Sequence, residues 1–509
     1  MSVLPDFKTF QTNFAQNKPQ LVWRTVVADL ETPVSTFLKL CQDEPFSFLL
    51  ESVEGGAHRG RYSVIGLRPD LIWRADGDQA WINANALTQP KNFEPCPVAA
   101  KSGALDSLRA IIAQSEVDIP SCLPPMSAGL VGYMSYDSIR LVEKLPDTNP
   151  DNIGIPDGLF VRPTLLVMFD NVNGTLTAVT PVRPSNDDAK VAWDLALKRL
   201  DDVLDALDKP LPHAGEWIER SEHMPTPVHG TSPDDYGAMV RKAQEYIAAG
   251  DIFQVVLSQR FSVPFKLRPF SLYRALRRSN PSPFLFYLNL EDFQLVGSSP
   301  EILVRLRDGK VTIRPIAGTR RRGVDAAEDQ VLAADLLSDP KELSEHLMLL
   351  DLGRNDVGRV AEIGSVTVTA KMNVEYYSHV MHIVSNVEGK LRDGCDAMDA
   401  LMAGFPAGTV SGAPKIRAME IIDELESERR SFYAGCIGYF AGNGNMDTCI
   451  ALRTALIKDG TMYVQAGAGI VMDSIPQSEH EECLNKARAL LRAAEDAINY
   501  TSLSNQRGS

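Results

Sequence analysis

The sequence predicts an α+β fold of antiparallel-rich, sandwich-like β-sheets with helices packed outside them. Two strand-like segments, 302–306 and 311–316, flank an Asp-Gly turn and predict a hairpin. Three further strand-like segments, joined by glycine-bearing turns, predict an antiparallel meander: 435–441, 448–457 and 462–471. Helical patterns fall between the strands without the regular alternation of parallel βαβ units, which favours antiparallel sheets.

The clearest helix begins after Ser232, since that residue is a good N-cap, Pro233 suits the first helical position and Gly250 suits the C-terminal end. Further helical patterns cover 187–207, 325–338, 412–425 and 478–497.

A polar, proline-bearing stretch over 208–231 divides the chain. We therefore predict an N-terminal domain over 1–207, a connector over 208–231, a second domain over 232–497 and a flexible tail over 498–509.

The composition is that of an ordinary globular protein, with 44% hydrophobic and 23% charged residues in 509. The net charge of −15 argues against a nucleic-acid partner, and it means that an anionic substrate needs a locally positive pocket or a bound cation. The seven cysteines are scattered without metal-ligand spacing, which suggests a reducing compartment. With no signal pattern and no apolar run of membrane-spanning length, we expect a cytoplasmic protein with no membrane partner.

The letters of residues 314–323, Arg-Pro-Ile-Ala-Gly-Thr-Arg-Arg-Arg-Gly, predict a strand that runs into a glycine turn and a basic cluster. Guanidinium groups and backbone N–H groups both favour anions, so the segment is a candidate anion-binding loop. A solvated basic turn explains the same letters.

A series of motifs follows in order along the second half of the chain. They are Gly-Asp-Ile-Phe-Gln-Val-Val-Leu-Ser (250–258), Gly-Ser-Ser-Pro-Glu (297–301), Pro-Ile-Ala-Gly-Thr-Arg (315–320), Glu-His-Leu-Met-Leu-Leu-Asp-Leu-Gly-Arg-Asn-Asp (345–356), Val-Met-His-Ile-Val-Ser (380–385), Gly-Thr-Val-Ser-Gly-Ala-Pro-Lys (408–415), Gln-Ala-Gly-Ala-Gly-Ile-Val (465–471) and Glu-His-Glu-Glu-Cys-Leu-Asn-Lys (479–486). Their order resembles that of the chorismate-utilising enzymes, which include anthranilate synthase large subunits and aminodeoxychorismate, isochorismate and salicylate synthases. The resemblance covers 232 to about 492, with a weaker N-terminal match, and it implies an anthranilate-synthase-like fold.

Pairs of glutamates stand out as candidate metal ligands, because residues three apart on a helix share a face. The pairs are Glu342 with Glu345 and Glu479 with Glu482, and carboxylate oxygens suit Mg²⁺. A surface charge stripe is the plain alternative. The resemblance implies that Glu345 and Glu482 hold Mg²⁺ and, through it, the ring carboxylate of chorismate, with Glu342 and Glu479 in support.

Four positions match catalytic residues of the family: Gln254, Glu301, His382 and Thr409. His382 lies in an apolar, strand-like run, where a histidine is most often a buried structural residue. The resemblance instead implies proton transfer, for which histidine titrates in the right range.

Substrate anchoring follows from the two carboxylates of chorismate. Small residues at 467–469 let backbone N–H groups approach an anion, and Arg453 offers a bidentate fork. The resemblance implies this substrate-binding set: Gly318, Thr319, Tyr433, Arg453, Gly467, Ala468, Gly469 and Lys486. Taken singly, these residues also suit packing, capping or surface roles.

Two positions separate the branches of the family. Isochorismate and salicylate synthases place a water-activating lysine where this chain has Gln254, and an amide is no general base near neutral pH. Aminodeoxychorismate synthases of this group place a nucleophilic lysine where this chain has Ala317. What remains is direct attack by ammonia followed by loss of pyruvate, the anthranilate synthase reaction and the first committed step of tryptophan biosynthesis. The alternatives are aminodeoxychorismate synthesis and a catalytically silent, tryptophan-binding paralogue.

The ammonia requires a source. None of the cysteines lies in the Gly-x-Cys-x-Gly elbow of a glutamine amidotransferase. We therefore expect a separate amidotransferase subunit, in a hetero-oligomer with two copies of each chain.

The N-terminal domain contains a segment that resembles the family's tryptophan-sensing site. Glu51 and Ser52 match one part of it, and Pro283, Phe284 and Leu285 match the partner segment. Phe284 and Leu285 differ from the Tyr-Met pair often found there. The resemblance implies feedback inhibition, with Glu51 facing the tryptophan ammonium, whereas a buried strand and a proline turn are the plain alternative.

Overall fold

The structure is a computed structural model that describes residues 2–41, 44–54, 58–212, 226–377 and 380–504. The α-helices are α1 (Phe7–Ala15), α2 (Pro33–Cys41), α3 (Ala99–Gln114), α4 (Ala189–Leu207), α5 (Pro233–Ala249), α6 (Pro269–Ser279), α7 (Ala326–Ser338), α8 (Pro340–Gly358), α9 (Ala397–Gly404), α10 (Lys415–Leu425) and α11 (Pro476–Ser504). Short 3-10 helices cover Pro125–Ser127, Tyr136–Leu141 and Gly408–Val410.

The strands are β1 (Gln20–Val27), β2 (Ser47–Glu51), β3 (Val53–Glu54), β4 (His58–Arg59), β5 (Tyr62–Asp76), β6 (Gln79–Asn83), β7 (Glu94–Pro95), β8 (Gly129–Met134), β9 (Gly158–Asp170), β10 (Thr175–Val182), β11 (Val228–His229), β12 (Gln254–Pro264), β13 (Phe284–Asn289), β14 (Phe293–Ser299), β15 (Ile302–Arg307), β16 (Lys310–Ile313), β17 (Ile316–Arg321), β18 (Thr367–Tyr376), β19 (Val380–Lys390), β20 (Gly412–Ala413), β21 (Cys436–Ala441), β22 (Met446–Ile450), β23 (Thr454–Lys458) and β24 (Thr461–Ile470). Every pairing among them is antiparallel.

The strands form two layers that share the long strands β5 and β9. One layer has the order β1-β10-β9-β5-β2-β13-β14-β23-β24-β12. The other has the order β6-β5-β9-β8-β21-β22-β15-β16-β19-β18. The register of β5 against β9 shifts between Pro69 and Leu71, where the pair passes from one layer to the other.

The core lies between these layers and beneath the helices on their outer faces. The buried cluster between the layers draws on both of them and includes Phe48, Tyr133, Phe286, Ile437 and Leu456. A second cluster joins α1, α2, α4, α6 and α11 to the first layer, and a third joins α3 and α9 to the second. The predicted α+β sandwich with helices outside is confirmed.

The predicted hairpin at 302–316 is confirmed in its turn and wrong in its second strand. β16 ends at Ile313, and a separate strand, β17, begins at Ile316. Both pair with β19, and Pro315 between them has no N–H to donate to a ladder.

The basic run after Gly318 is not an open anion-binding loop. It belongs largely to β17, and acidic side chains of α7 and α8 surround it. Arg320 contacts Asp335, Asp339 and Glu342, and Arg322 contacts Asp329. The segment is therefore a strand with paired arginines rather than an open loop or a turn, and its role in anion binding stays a prediction.

The predicted meander is also corrected. β22 ends at Ile450 in one layer and β23 begins at Thr454 in the other, so the predicted strand 448–457 is two strands. Arg453 lies at the crossing with a φ of 47°. Apolar residues lie on both sides of the break, so the sequence pattern does not show where one strand ends and the next begins.

The helix predictions hold in position and differ at the ends. Ser232 caps α5 and Gly250 ends it, as predicted. The helix predicted from 412 begins at Lys415, because 412–413 pair with β12. The last helix runs from Pro476 to Ser504, so the first residues of the predicted tail are helical, and 505–509 lie outside the described residues.

The domain division stays a prediction. Of the connector, 213–225 lie outside the described residues and 228–229 form β11. The pairings of β2 with β13 and of β8 with β21 join strands from the two sides of that connector. Among the residues that the structure covers, no helix is both long and apolar enough to span a bilayer.

Candidate active site

Two helices bring the predicted metal-binding glutamates to one region. Asp339 caps α8, whose first turns carry Glu342 and Glu345, while Glu479 and Glu482 lie in the first turns of α11. Burial raises the pKa of Glu345, and the like charges of Glu342 and then Glu482 raise it further. Burial likewise raises the pKa of Glu479, with Glu482 adding to it. The helices therefore hold carboxylates that repel one another.

Cationic side chains offset part of this negative charge. Arg320 Nη1 lies 3.1 Å from Glu342 Oε1, and Lys486 Nζ lies 2.7 Å from Glu482 Oε1. Lys486 also donates to the carbonyl oxygen of Gly467 at 2.8 Å, which ties α11 to β24. Within the described ranges, no three carboxylate, histidine or cysteine side chains are close enough together to enclose a metal ion.

Gln254 begins β12 beside these carboxylates. Its side chain is 4% exposed, and its Nε2 donates to Glu345 Oε1 at 3.4 Å. Its own Oε1 has no hydrogen-bond partner among the residues described. A Cβ at position 469 would lie 2.3 Å from Gln254 Nε2, so Gly469 leaves the space that this amide occupies.

The small residues of β24 make room for neighbouring side chains. Gly467, Ala468 and Gly469 pair with residues 258, 257 and 256 of β12. A Cβ at position 467 would lie 2.9 Å from the hydroxyl oxygen of Tyr433. Burial raises the pKa of Tyr433, so its hydroxyl keeps its proton and remains a donor.

His382 lies in β19 with one ring nitrogen engaged. Its Nδ1 is 2.9 Å from the carbonyl oxygen of Gly318 and 3.1 Å from Thr319 Oγ1. A carbonyl oxygen only accepts, so Nδ1 carries the proton and Nε2 has the lone pair. Burial lowers the pKa of His382, and the positive charge of Arg453 lowers it further. The ring is therefore neutral near pH 7, with Nε2 ready to accept a proton.

Glu301 lies between β14 and β15 and is 7% exposed. Thr409 Oγ1 donates to its Oε1 at 3.1 Å, which fixes the orientation of the carboxyl group. Burial raises the pKa of Glu301 to about 8, against the lowering effects of Thr409, the Ile316 amide and Arg453. This carboxyl group therefore holds a proton at neutral pH.

Arg453 lies near His382 and Glu301 and affects the pKa of both. Burial lowers the pKa of its guanidinium, while Tyr377 and Glu301 raise it. Its guanidinium forms no salt bridge within the part of the chain that the structure describes. A buried guanidinium without a carboxylate partner is a candidate group for binding an anion.

β17 lies between two sets of site residues. One is the set of glutamates on α8 and α11, and the other is the set around His382. The carbonyl oxygen of Gly318 accepts from His382, while a Cβ at position 318 would lie 3.1 Å from Glu342 Oε2. Gly318 has a φ of 72°, which favours glycine. Ala317, next to it, pairs with Ile383 and offers only a methyl group.

Comparisons with known proteins identify the family to which the chain belongs. A family model described as chorismate binding enzyme matches residues 57–492. The chain belongs to the chorismate-binding enzymes. It is 54% identical to anthranilate synthase component 1 of Cereibacter sphaeroides over 97% of this chain and 98% of that protein. The component 1 of Pseudomonas aeruginosa is 49% identical, over 94% and 95%. A crystal structure of anthranilate synthase component I from Streptococcus pneumoniae superposes with a TM-score of 0.74, at 40% identity over 85% of this chain and 92% of that one.

The predicted resemblance to anthranilate synthase large subunits is thereby confirmed, as is the prediction of an enzyme that acts on chorismate. The individual roles of the predicted site residues stay predictions.

The predicted effector residues of this chorismate-binding enzyme lie along one strand pair. Glu51 of β2 is opposite Leu285 of β13, and Phe284 begins β13. Both carboxylate oxygens of Glu51 already have donors: Tyr273 Oη at 2.6 Å, Arg277 Nε at 2.5 Å and Arg277 Nη2 at 2.9 Å. An incoming ammonium would therefore have to share Glu51 with Arg277, which the sequence did not predict.

Sequence reasoning also missed Arg430 of this chorismate-binding enzyme. Its side chain is 1% exposed, and it donates to the carbonyl oxygens of Val410 at 2.7 Å and Val256 at 2.6 Å. Val410 directly follows the predicted catalytic residue Thr409, and Val256 lies two residues after Gln254 in β12. The signal that could have found it is the Glu426–Arg430 spacing of four, which is also a salt bridge of 2.5 Å.

Proposed function

We propose that the protein is the large subunit of an anthranilate synthase, which converts chorismate and ammonia to anthranilate, pyruvate and water. The observation that carries the proposal is Ala317 in β17, between the two groups of site residues, together with the amide of Gln254 beside Glu345. Neither side chain supplies a covalent nucleophile or a water-activating base. Ammonia is then the nucleophile. The names of relatives that match nearly the whole chain support the same reaction.

We place Mg²⁺ between Glu345 of α8 and Glu482 of α11, with Glu342 and Glu479 in support. The carboxylates fit such an ion, because burial raises the pKa of Glu345, repulsion from Glu342 and Glu482 raises it further, and a divalent cation would relieve that repulsion. Mg²⁺ also needs only one or two carboxylates when water and substrate oxygens complete its coordination. The bound ion would supply an electrophilic partner for the ring carboxylate of chorismate.

Other residues of the chain would bind the two carboxylates of chorismate. Arg453 would pair with the enolpyruvyl carboxylate, while the Tyr433 hydroxyl, the 467–469 backbone and Lys486 would orient the ring carboxylate. The carbonyl oxygen of Gly318 accepts a hydrogen bond from His382 Nδ1, and the hydroxyl of Thr319 contacts the same nitrogen. Together they hold the imidazole ring in place.

Glu301 and His382 are the two groups that we propose to transfer protons. Ammonia adds to the ring carbon beside the carboxylate-bearing carbon as the ring hydroxyl leaves, and Glu301, which is protonated at neutral pH, gives that hydroxyl its proton. His382 Nε2 then takes the proton of the aminated ring carbon as the bond between the ring and the enolpyruvyl oxygen breaks. That proton passes to the departing enolpyruvate, which becomes pyruvate, and the proton that the added ammonia loses restores Glu301.

The partner in this proposal is a glutamine amidotransferase subunit that delivers ammonia, with two copies of each chain in the complex. The component 1 names of the relatives support a second component. Tryptophan is the proposed feedback inhibitor at Glu51, Ser52 and 283–285.

The test follows two products at once. The purified chain is mixed with chorismate, Mg²⁺ and an ammonium salt at alkaline pH, and anthranilate fluorescence and pyruvate are measured together. We expect both to form at equal rates, and glutamine alone to be inert. An aminated product without pyruvate would assign the chain to aminodeoxychorismate synthesis, and absence of turnover would support the silent paralogue.

A further inference from the structure

A cluster of arginines on the N-terminal strands has fewer negative charges around it than positive ones. Arg162 of β9, Arg183 directly after β10 and Arg199 of α4 gather around Asp70 of β5. Arg162 grips Asp70 with Nε at 2.7 Å and Nη2 at 3.1 Å, and Arg183 Nη1 lies 3.5 Å from the same carboxylate. None of these elements carries a residue of the candidate active site.

The charge balance of the cluster is positive by two. Three guanidinium groups face the single carboxylate of Asp70, and Arg199 contacts only the hydroxyl of Thr180, at 3.3 Å. Across the described ranges, no further carboxylate lies within salt-bridge distance of Arg183 or Arg199. The neighbouring Arg68 pairs with two carboxylates, Glu44 at 3.2 Å and Asp202 at 3.3 Å, so the wider group of four arginines and three carboxylates keeps a net positive charge of one.

These guanidinium groups are partly removed from water, so the excess charge has a cost. The side chains of Arg162 and Arg183 are only 12% and 18% exposed, and the Nε of Arg183 is buried without a partner among the residues described. Burial and the neighbouring Arg162 lower the pKa of Arg183 to about 10. Burial lowers the pKa of Arg199 as well, and Arg68 lowers it further. Charges in such surroundings are ordinarily compensated by a counterion.

We propose that Arg162, Arg183 and Arg199 form a binding site for a phosphate dianion, separate from the active site. The cluster is positive, with three guanidinium groups around the single carboxylate of Asp70, and guanidinium forks suit the oxygens of phosphate. Asp70 orients Arg162 and keeps the site from binding more than one dianion. The overall charge of −15 makes a local positive cluster a selective feature of this surface.

The site is tested with inorganic phosphate and the purified full chain. Isothermal titration in HEPES at constant ionic strength should show saturable binding with one phosphate per chain. The melting temperature should rise by a few degrees in phosphate relative to chloride. The double variant Arg183→Gln/Arg199→Gln should lose both effects. In chloride it should melt no lower than the wild type, because repulsion is relieved.

The matched control is Lys190→Gln/Lys198→Gln, which removes two positive charges from the exposed side of the same helix. It should bind phosphate as the wild type does. Glycerol phosphate and succinate, titrated in the same way, distinguish a phosphate monoester from a dicarboxylate as the physiological ligand. The proposal is overturned if the wild type shows no saturable binding or if the double variant binds phosphate unchanged.

Discussion

The backbone N–H of Ser298 donates to the carbonyl oxygen of Arg453 at 3.1 Å. The same Ser298 lies opposite Leu285 in the β13–β14 ladder, and its hydroxyl donates to the carbonyl oxygen of Asn280 at 2.5 Å. A residue of the proposed tryptophan site and the proposed substrate-binding arginine therefore contact one serine. Displacement of the 280–285 segment would reach Arg453 through a single residue.

Ser298→Ala should uncouple inhibition from catalysis. The variant loses the hydroxyl bond to Asn280 and keeps the backbone bond to Arg453, so kcat should stay within about 2-fold while the tryptophan concentration for half-inhibition rises about 10-fold. Ser279→Ala is the matched control, since that hydroxyl bonds within its own helix at 3.1 Å. Equal tryptophan sensitivity in both variants would contradict the coupling.

Ser52→Phe should abolish tryptophan inhibition while catalysis continues. Ser52 follows β2 directly and its side chain lies beside Gly60, so a phenyl ring there would fill the space next to Glu51. Inhibition curves on anthranilate formation provide the measurement. Unchanged sensitivity would remove these residues from the effector site.

The alkaline limb of the pH profile should report Glu301. The group must be protonated to act, and its pKa is about 8, so kcat/KM for chorismate at saturating free ammonia should fall as the pH rises through about 8. Thr409→Val removes a hydrogen bond that lowers this pKa, so the limb should move to higher pH. A limb that stays in place would assign it to another group.

The acid limb should report His382. Its pKa lies below the usual 6.5, so the basic form persists at neutral pH and is lost only as the pH falls through the lowered value. His382→Gln should reduce kcat about 100- to 10,000-fold and remove this limb. A variant that keeps the wild-type profile would exclude His382 from proton transfer.

Gly469→Ala should affect catalysis through Gln254. A Cβ at this position would lie 2.3 Å from Gln254 Nε2 and would push the amide away from Glu345. We expect a destabilisation of about 1–3 kcal/mol and a loss of kcat/KM larger than that stability change explains. Gly358→Ala, where nothing lies within 4 Å, is the silent control. Full activity in Gly469→Ala would show that this contact is not needed.

Local patterns predicted the parts of the fold that depend on neighbouring residues. Ser232 and Gly250 are sufficient to place α5, because capping is decided within a few residues. The division of 448–457 between two layers was not predictable, because the break at Arg453 is set by partners far along the chain.

The site shows the same division between local and distant determinants. The sequence alone predicted the paired glutamates, from their spacing, and His382, from its motif. The Arg277 and Tyr273 donors at Glu51, and the contacts of Arg430, come from packing between distant segments that no local pattern encodes.

The strand order has a consequence for synthesis on the ribosome. β2 and β8 are synthesised early, whereas their partners, β13 (284–289) and β21 (436–441), are synthesised much later. Until then these strands have open hydrogen-bonding edges, which can pair with other chains. A product truncated before residue 436 would leave β8 without that partner for good. We expect such fragments to aggregate rather than to accumulate as folded N-terminal domains.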